Sequence, residues 1–183
     1  MLEIMSIYHT CIFFPDITNA MSAQTRENAA SISEEKHNEI VRWFPLMKNE
    51  IVKSSFTKDS VEVIFTSGGI YSVLANSQSS KGQRRRRLNI EEAALLNNEL
   101  FKDVLEPVVN VPRRTIGKLS TINPYELNGM INYLTTSGYR GSDEFIRSIN
   151  MIDEMAELKG KIVIGAGWEL PCYFGRGETK HKY

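Results

Sequence analysis

Short apolar runs of strand length alternate along this chain with stretches of helical period, and that alternation decides what the chain can become. Ile17 to Ala23 is the first such run. Behind it Thr25 can cap a helix, with Glu27 in the first turn. That helix brings Ala29, Ile32, Ile40 and Trp43 near one face, and Pro45 ends it. Leu88-Asn89-Ile90 is a second short strand. From Glu91 the pattern turns helical, with Leu96, Leu100 and Val104 on one stripe, until Pro107 stops it. Met130 to Leu134 reads as a third strand, running into Thr135-Thr136-Ser137-Gly138. Ser142 then caps a helix whose positive end carries Asp143 and Glu144. Phe145, Ile149, Ile152 and Ala156 mark its buried face, Gly160 is a natural stop, and Ile162-Val163-Ile164 forms a last strand. The order strand, helix, strand, helix, strand predicts an α/β fold with a mainly parallel sheet flanked by helices. One insertion interrupts it. Val61 to Phe65 alternates apolar and polar residues, Gly68-Gly69 turns the chain, and Ile70 to Leu74 returns as a β-hairpin. Leu2 to Tyr8 reads as the end of a helix, Asn76 to Gln83 as a polar loop, and residues 108–128, with Pro112 and Pro124, as irregular.

Composition narrows the class. With 183 residues, 42% hydrophobic and 24% charged, the chain suits one soluble domain with a real core. Basic and acidic residues balance at 22 each, so only local clusters can argue for a charged partner. No apolar run approaches the roughly 20 residues that span a bilayer. The stretch Ile4 to Phe14, broken by Ser6, His9 and Thr10, lacks the cationic start and cleavage site of a signal peptide. Cys11 and Cys172 lie far apart without ligand spacing, which suits buried free thiols in a reducing compartment. His9, His37 and His181 form no triad or metal spacing with them.

Three features can carry chemistry. Glu91-Glu92 stands where a strand ends and a helix begins, the edge at which open α/β sheets bind ligands. Hydrolysis of a nucleoside triphosphate needs one carboxylate for magnesium, usually through water, and a second group to orient or deprotonate the attacking water. Two adjacent acids at a strand end can supply both. Taken alone, they equally satisfy the free N–H groups and dipole of a helix start. Thr135-Thr136-Ser137 follows the next strand, where hydroxyls can sense a γ-phosphate or simply turn the chain. Lys81 to Arg87 holds five positive charges in seven residues. They can meet DNA phosphates, reach a neighbouring subunit's nucleotide, or remain a solvated basic loop. A phosphate loop, G-x-x-x-x-G-K-[ST], is missing: Gly117-Lys118 precedes Leu119, and Gly160-Lys161 precedes Ile162.

In order, these segments resemble the ATPase domain of the phage terminase large subunit. YHTCIFFPDITNAMSAQTRENAASI, residues 8–32, is similar to the family's segment just after its phosphate loop, and HNEIVRWFPLMKNEI continues that helix. VEVIFTSGGIYSVLANS resembles its glycine-turned hairpin, and GQRRRRLNIEEAAL its arginine-led Walker B strand. YLTTSGYRGSDEF resembles the coupling motif, and IVIGAGWELPCYFG the last part of the ATPase domain before the nuclease. The resemblance covers nearly the whole chain and rests on the order and spacing of motifs that are each loose.

The resemblance implies a partial P-loop NTPase-type (ASCE) sheet over residues 1–183. It gives Glu91 the magnesium-associated Walker B role, where the family has aspartate, and Glu92 the role of catalytic glutamate. Thr135, Thr136 and Ser137 become the coupling motif. Arg84, Arg85, Arg86 and Arg87 contact DNA or a neighbouring subunit's nucleotide, and the resemblance leaves open which. It implies ATP and Mg2+ as cofactors and double-stranded DNA, a portal or procapsid and a small terminase subunit as partners. It further implies a homo-oligomeric ring, the host cytoplasm and no membrane. Asn89 departs from the apolar strand of the family. The phosphate loop is expected upstream of Met1 and the nuclease beyond Tyr183, so the chain reads as a fragment, split gene product or remnant. Alone it is expected not to hydrolyse ATP. The alternative is a non-catalytic DNA-binding or assembly module left from a prophage terminase.

Overall fold

A computed structural model describes residues 1–95, 99, 101–116, 121–123, 126–135, 139–157 and 159–160. The chain divides into two compact units, Met1–Leu134 and Thr135–Tyr183.

The first unit opens with helix α1, Leu2–Phe13, so the segment read as helical is a helix and runs on to Phe13. Strand β1, Thr18–Ala23, follows, buried along almost its whole length, as a strand covered on both faces must be. Helix α2 spans Arg26–Trp43, and the Thr25 side chain accepts from the Asn28 N–H at 3.1 Å, the predicted cap. Its buried face is Ala29, Ala30, Ser33, His37 and Ile40. Trp43, expected on that face, is 66% exposed, because the helix ends there and the chain turns away into a 3-10 segment at Pro45–Glu50. Strands β2, Ile51–Thr57, β3, Ser60–Phe65, and β4, Ile70–Ala75, form an antiparallel meander. The hairpin was legible; β2 was not, since this sheet-edge strand exposes most of its side chains.

Strand β5, Arg87–Ile90, and strand β8, Met130–Tyr133, complete a six-stranded sheet of order β2-β3-β4-β1-β5-β8. Between them lies a separate two-stranded ribbon, β6, Thr115–Ile116, with β7, Thr121–Ile122, in the region expected to be irregular. Strands β4, β1, β5 and β8 run parallel, in the registers Thr18↔Ile70, Asn19↔Arg87 and Arg87↔Met130. The α/β class and mainly parallel sheet are therefore as the sequence indicated, with the hairpin's second strand built into the parallel set rather than apart from it.

Two apolar layers cover the sheet. Ile4, Ile7, Tyr8 and Cys11 of α1 join Ala29, Ala30 and Ile40 of α2 over Met21, Val63, Phe65 and Tyr71. Two buried polar contacts tie this layer together: Tyr8 Oη to His37 Nδ1 at 2.7 Å, and Ser33 Oγ to Tyr71 Oη at 2.5 Å. Cys11 is a buried free thiol, and burial pushes its pKa up to about 12. The opposite layer is Ala20, Leu74, Leu88 and Ile90 under Phe101, Leu105, Val108 and Val109. Where one long helix was expected after Glu91, the described residues form short turns, at Ala93–Leu95, Phe101–Leu105 (π-type) and Glu106–Val109.

In the second unit, helix α3 spans Asp143–Ala156, and Ser142 caps it by accepting from the Phe145 N–H at 3.2 Å, as predicted. The expected strand Ile162 to Ile164 lies outside the described residues. Among the described residues no helix is long and apolar enough to cross a membrane.

Candidate functional site

Because β4, β1, β5 and β8 are parallel, their C-terminal ends, at Ala75, Ala23, Ile90 and Tyr133, share one edge. Glu91 and Glu92 leave β5 at that edge. The chain there is pinned from both sides. The Glu91 N–H donates to the Ser22 carbonyl of β1 at 2.8 Å, and the Ala93 N–H donates to the Leu134 carbonyl, just past β8, at 3.0 Å. Leu134 N–H in turn donates to the Ile90 carbonyl at 2.8 Å. The exit of β8 thus brackets the acidic pair, and Thr135, the next residue, begins the second unit and is exposed. Thr136 and Ser137 lie outside the described residues.

Glu92 has φ +52°, a left-handed conformation that costs a non-glycine residue energy. The reversal takes its side chain out of the strand's alternation. Glu91 is half-buried while Glu92 is exposed, so the neighbouring acids meet different surroundings.

Glu91 also has a partner that sequence reasoning missed. Glu3, in the first turn of α1, shares a side-chain hydrogen bond with it. Burial and this neighbouring carboxylate push the Glu3 pKa up to about 8. Glu3 Oε1 is buried with no hydrogen-bond partner among the described residues. No local signal in the sequence points to this pairing, since the two residues are far apart along the chain and only the fold brings them together.

Magnesium prefers hard oxygen ligands and is commonly held by one or two carboxylates, with water and phosphate filling the rest. Glu91 with Glu3, one of whose oxygens lacks a partner, fits that requirement. Among the described residues no group of three or more His, Cys, Asp or Glu is placed to hold a metal.

The arginine run stands at the other end of the strands. Arg87 begins β5, and Arg86 N–H donates to the Thr18 carbonyl at the start of β1, at 2.8 Å. The four residues are not equivalent. Arg84 is exposed. Arg85 is half-buried and donates to Ser72 Oγ at 3.1 Å, Gln83 Oε1 at 2.9 Å and the Arg84 carbonyl at 2.8 Å. Arg86, 7% exposed, is ion-paired to Glu126 and donates to the carbonyls of Val111, at 2.6 Å, and Pro112, at 3.3 Å. Burial lowers the pKa of both Arg85 and Arg87.

No protein-family model matches the chain, and no curated protein matches it in sequence. Solved structures do match in fold. The chain is similar to the large terminase of a thermophilic bacteriophage, with TM-score 0.55 and 8% identity, over 83% of this chain and 33% of that one. It is similar to the large terminase of bacteriophage HK97, with TM-score 0.51 and 14% identity, over 86% of this chain and 30% of that one. The chain therefore spans about a third of the length of these proteins and shares with them the fold of that part.

Proposed function

We propose that this chain is the water-activating and coupling part of the ATPase motor of a phage terminase large subunit, which drives viral DNA packaging. The observation that carries the reading is the acidic pair. Two adjacent glutamates, one strained, stand at the C-terminal edge of parallel strands, bracketed by the exit of the neighbouring strand, in a fold similar to large terminases.

Glu91, with Glu3 beside it, would hold Mg2+, in part through water. When bound, the metal supplies charge neutralisation on the phosphate oxygens. Glu92, exposed and turned out of the strand, orients the attacking water and accepts its proton. Glu91 stays anchored through its backbone to β1, which fixes the distance between the two roles. Thr135, Thr136 and Ser137 would link loss of the γ-phosphate to movement, because they follow the strand whose end is hydrogen-bonded around Glu91-Glu92. The triphosphate cradle is not among these 183 residues, which contain no G-x-x-x-x-G-K-[ST]. In the motor this reading assumes, the cofactors are ATP and Mg2+. The partners are double-stranded DNA, a portal or procapsid and a small subunit, and the assembly is a homo-oligomeric ring in the host cytoplasm.

Phosphate release tests it. The chain by itself should release no more phosphate from ATP than its Glu92→Gln variant. Joined to a segment carrying a phosphate loop, it should turn ATP over, and Glu92→Gln should then bind ATP without turnover. Undiminished turnover in that joined Glu92→Gln protein would rule the assignment out. A second reading, a non-catalytic DNA-binding or assembly module, rests on the basic run Lys81 to Arg87; for it, the joined protein would stay inactive while DNA binding fell with salt.

A further inference from the structure

At the N-terminal edge of the parallel strands, opposite the acidic pair, lies a cavity of about 400 Å3. Four guanidiniums line it, from Arg84, Arg85, Arg86 and Arg114, against two carboxylates, Asp16 and Glu126. The charged side chains lining this partly open cavity therefore sum to two positive charges. The pairing within it is uneven. Glu126 is consumed by Arg86, by the Arg114 N–H at 2.5 Å, and at 3.8 Å by Arg114 Nε. The Asp16 carboxylate sits against Gly68, at the turn between β3 and β4. Among the described residues no carboxylate is ion-paired with Arg84 or Arg85. The Arg85 guanidinium is half-buried and meets only neutral acceptors, and a desolvated cation in that state lacks the counter-charge that would offset its burial.

We propose that this cavity recognises the phosphate of a nucleotide, free or within a DNA strand, with Arg84, Arg85 and Arg114 as its ligands and the Arg86–Glu126 pair as its fixed floor. Phosphate fits this donor set because guanidinium forks bind its oxygens in pairs. The size argues for more than a bare ion, since 400 Å3 falls in the range of small-molecule pockets. Phe14, Pro112 and Leu127 supply an apolar wall on which a sugar or base can rest. Arg86 is left out as a ligand because it is buried and three of its five N–H donors already meet Glu126 and two backbone carbonyls. The inference uses no residue of the acidic edge, so it stands or falls apart from the proposed ATPase role.

Calorimetric titration of the full chain tests it, with inorganic phosphate, a deoxynucleoside monophosphate and a short DNA duplex at two salt concentrations. Arg85→Ala and Arg114→Ala should each weaken binding about tenfold or more, the loss of roughly one charge-assisted contact. Lys58→Ala, on the distant β2–β3 turn, should bind as the unaltered chain does. Mononucleotide bound as tightly as duplex identifies a free nucleotide as the ligand. Duplex bound far more tightly, with steep salt dependence, identifies strand phosphate. If Arg85→Ala does not fold, Arg114→Ala and Arg84→Ala, both at exposed positions, decide the question. The proposal is overturned if none of the three probes binds, or if binding survives the arginine substitutions unchanged.

Discussion

At the C-terminal edge of the parallel strands two carboxyls, Glu3 and Glu91, share a hydrogen bond, while at the N-terminal edge the buried Arg86 is matched to Glu126 and to two carbonyls. Like charges have been brought together at one edge and opposite charges at the other. The first arrangement costs stability unless a proton or a cation is held between the acids; the second is self-sufficient. Each edge also contains one non-glycine residue in the left-handed region, Glu92 at φ +52° and Asp16 at φ +57°. Asp16 is a residue type that tolerates this conformation, and Glu92 is not. The acidic edge thus carries both repulsion and strain. At the basic edge Arg86 is paired within the fold, while Arg84 and Arg114 are exposed.

The sharpest way to break this contrast is to remove one member of the buried pair. Arg86→Ala leaves Glu126 without its main buried partner and should destabilise the fold by about 3–5 kcal/mol in urea unfolding. Arg84→Ala, from the same run but exposed, should change stability by about 0.5 kcal/mol or less. Equal, small losses at both positions would mean that Arg86 is not a scaffold residue and that the two edges are less different than described.

A smaller effect is expected from backbone strain. Glu92→Gly releases a left-handed residue strained by about 1–3 kcal/mol, less about 0.5–1 kcal/mol for the added freedom of glycine in the unfolded chain. A net gain of about 1 kcal/mol in folding stability should result. Asp16→Gly should gain less or lose stability, because aspartate accepts the conformation. A gain at Asp16 larger than at Glu92 would place the strain at the wrong edge.

How much of this could be read from the residues varies with the range of the interaction. The hairpin was legible because Gly68 and Gly69 are demanded locally: Gly68 has φ +82°, and a Cβ at Gly69 would run into the Cys11 carbonyl. The Thr25 and Ser142 caps were legible for the same reason, each satisfying an N–H three residues on. Glu91-Glu92 was placed correctly at a strand end, since β5 and its neighbours are marked by apolar runs. Glu3 was not found, because its contact spans most of the first unit and only the parallel order of the strands creates it. Four identical arginines gave no hint that one is buried and another exposed. That difference comes from Glu126, in a segment without periodicity. Strand β2 was lost because an edge strand need not alternate.

The smallest effect concerns the acidic pair itself. The Glu3 carboxyl has its pKa raised from 4.5 to about 8, so between those values the folded chain holds a proton that the unfolded chain has released. Its contribution to stability is therefore complete below pH 4.5 and is lost as pH rises through about 8. His37 acts in the opposite sense, since burial lowers its pKa, and its contribution is lost as pH falls below its ordinary value of 6.5. The two must be separated by difference. Glu3→Gln keeps the hydrogen bond and removes the titration, so its thermal midpoint should fall less than that of the unaltered chain as pH rises from 5 to 8, while the acid-side loss from His37 remains in both. Parallel curves for the two proteins across that interval would show that no proton is held between Glu3 and Glu91, and the repulsion assigned to this edge would have to be relieved in another way.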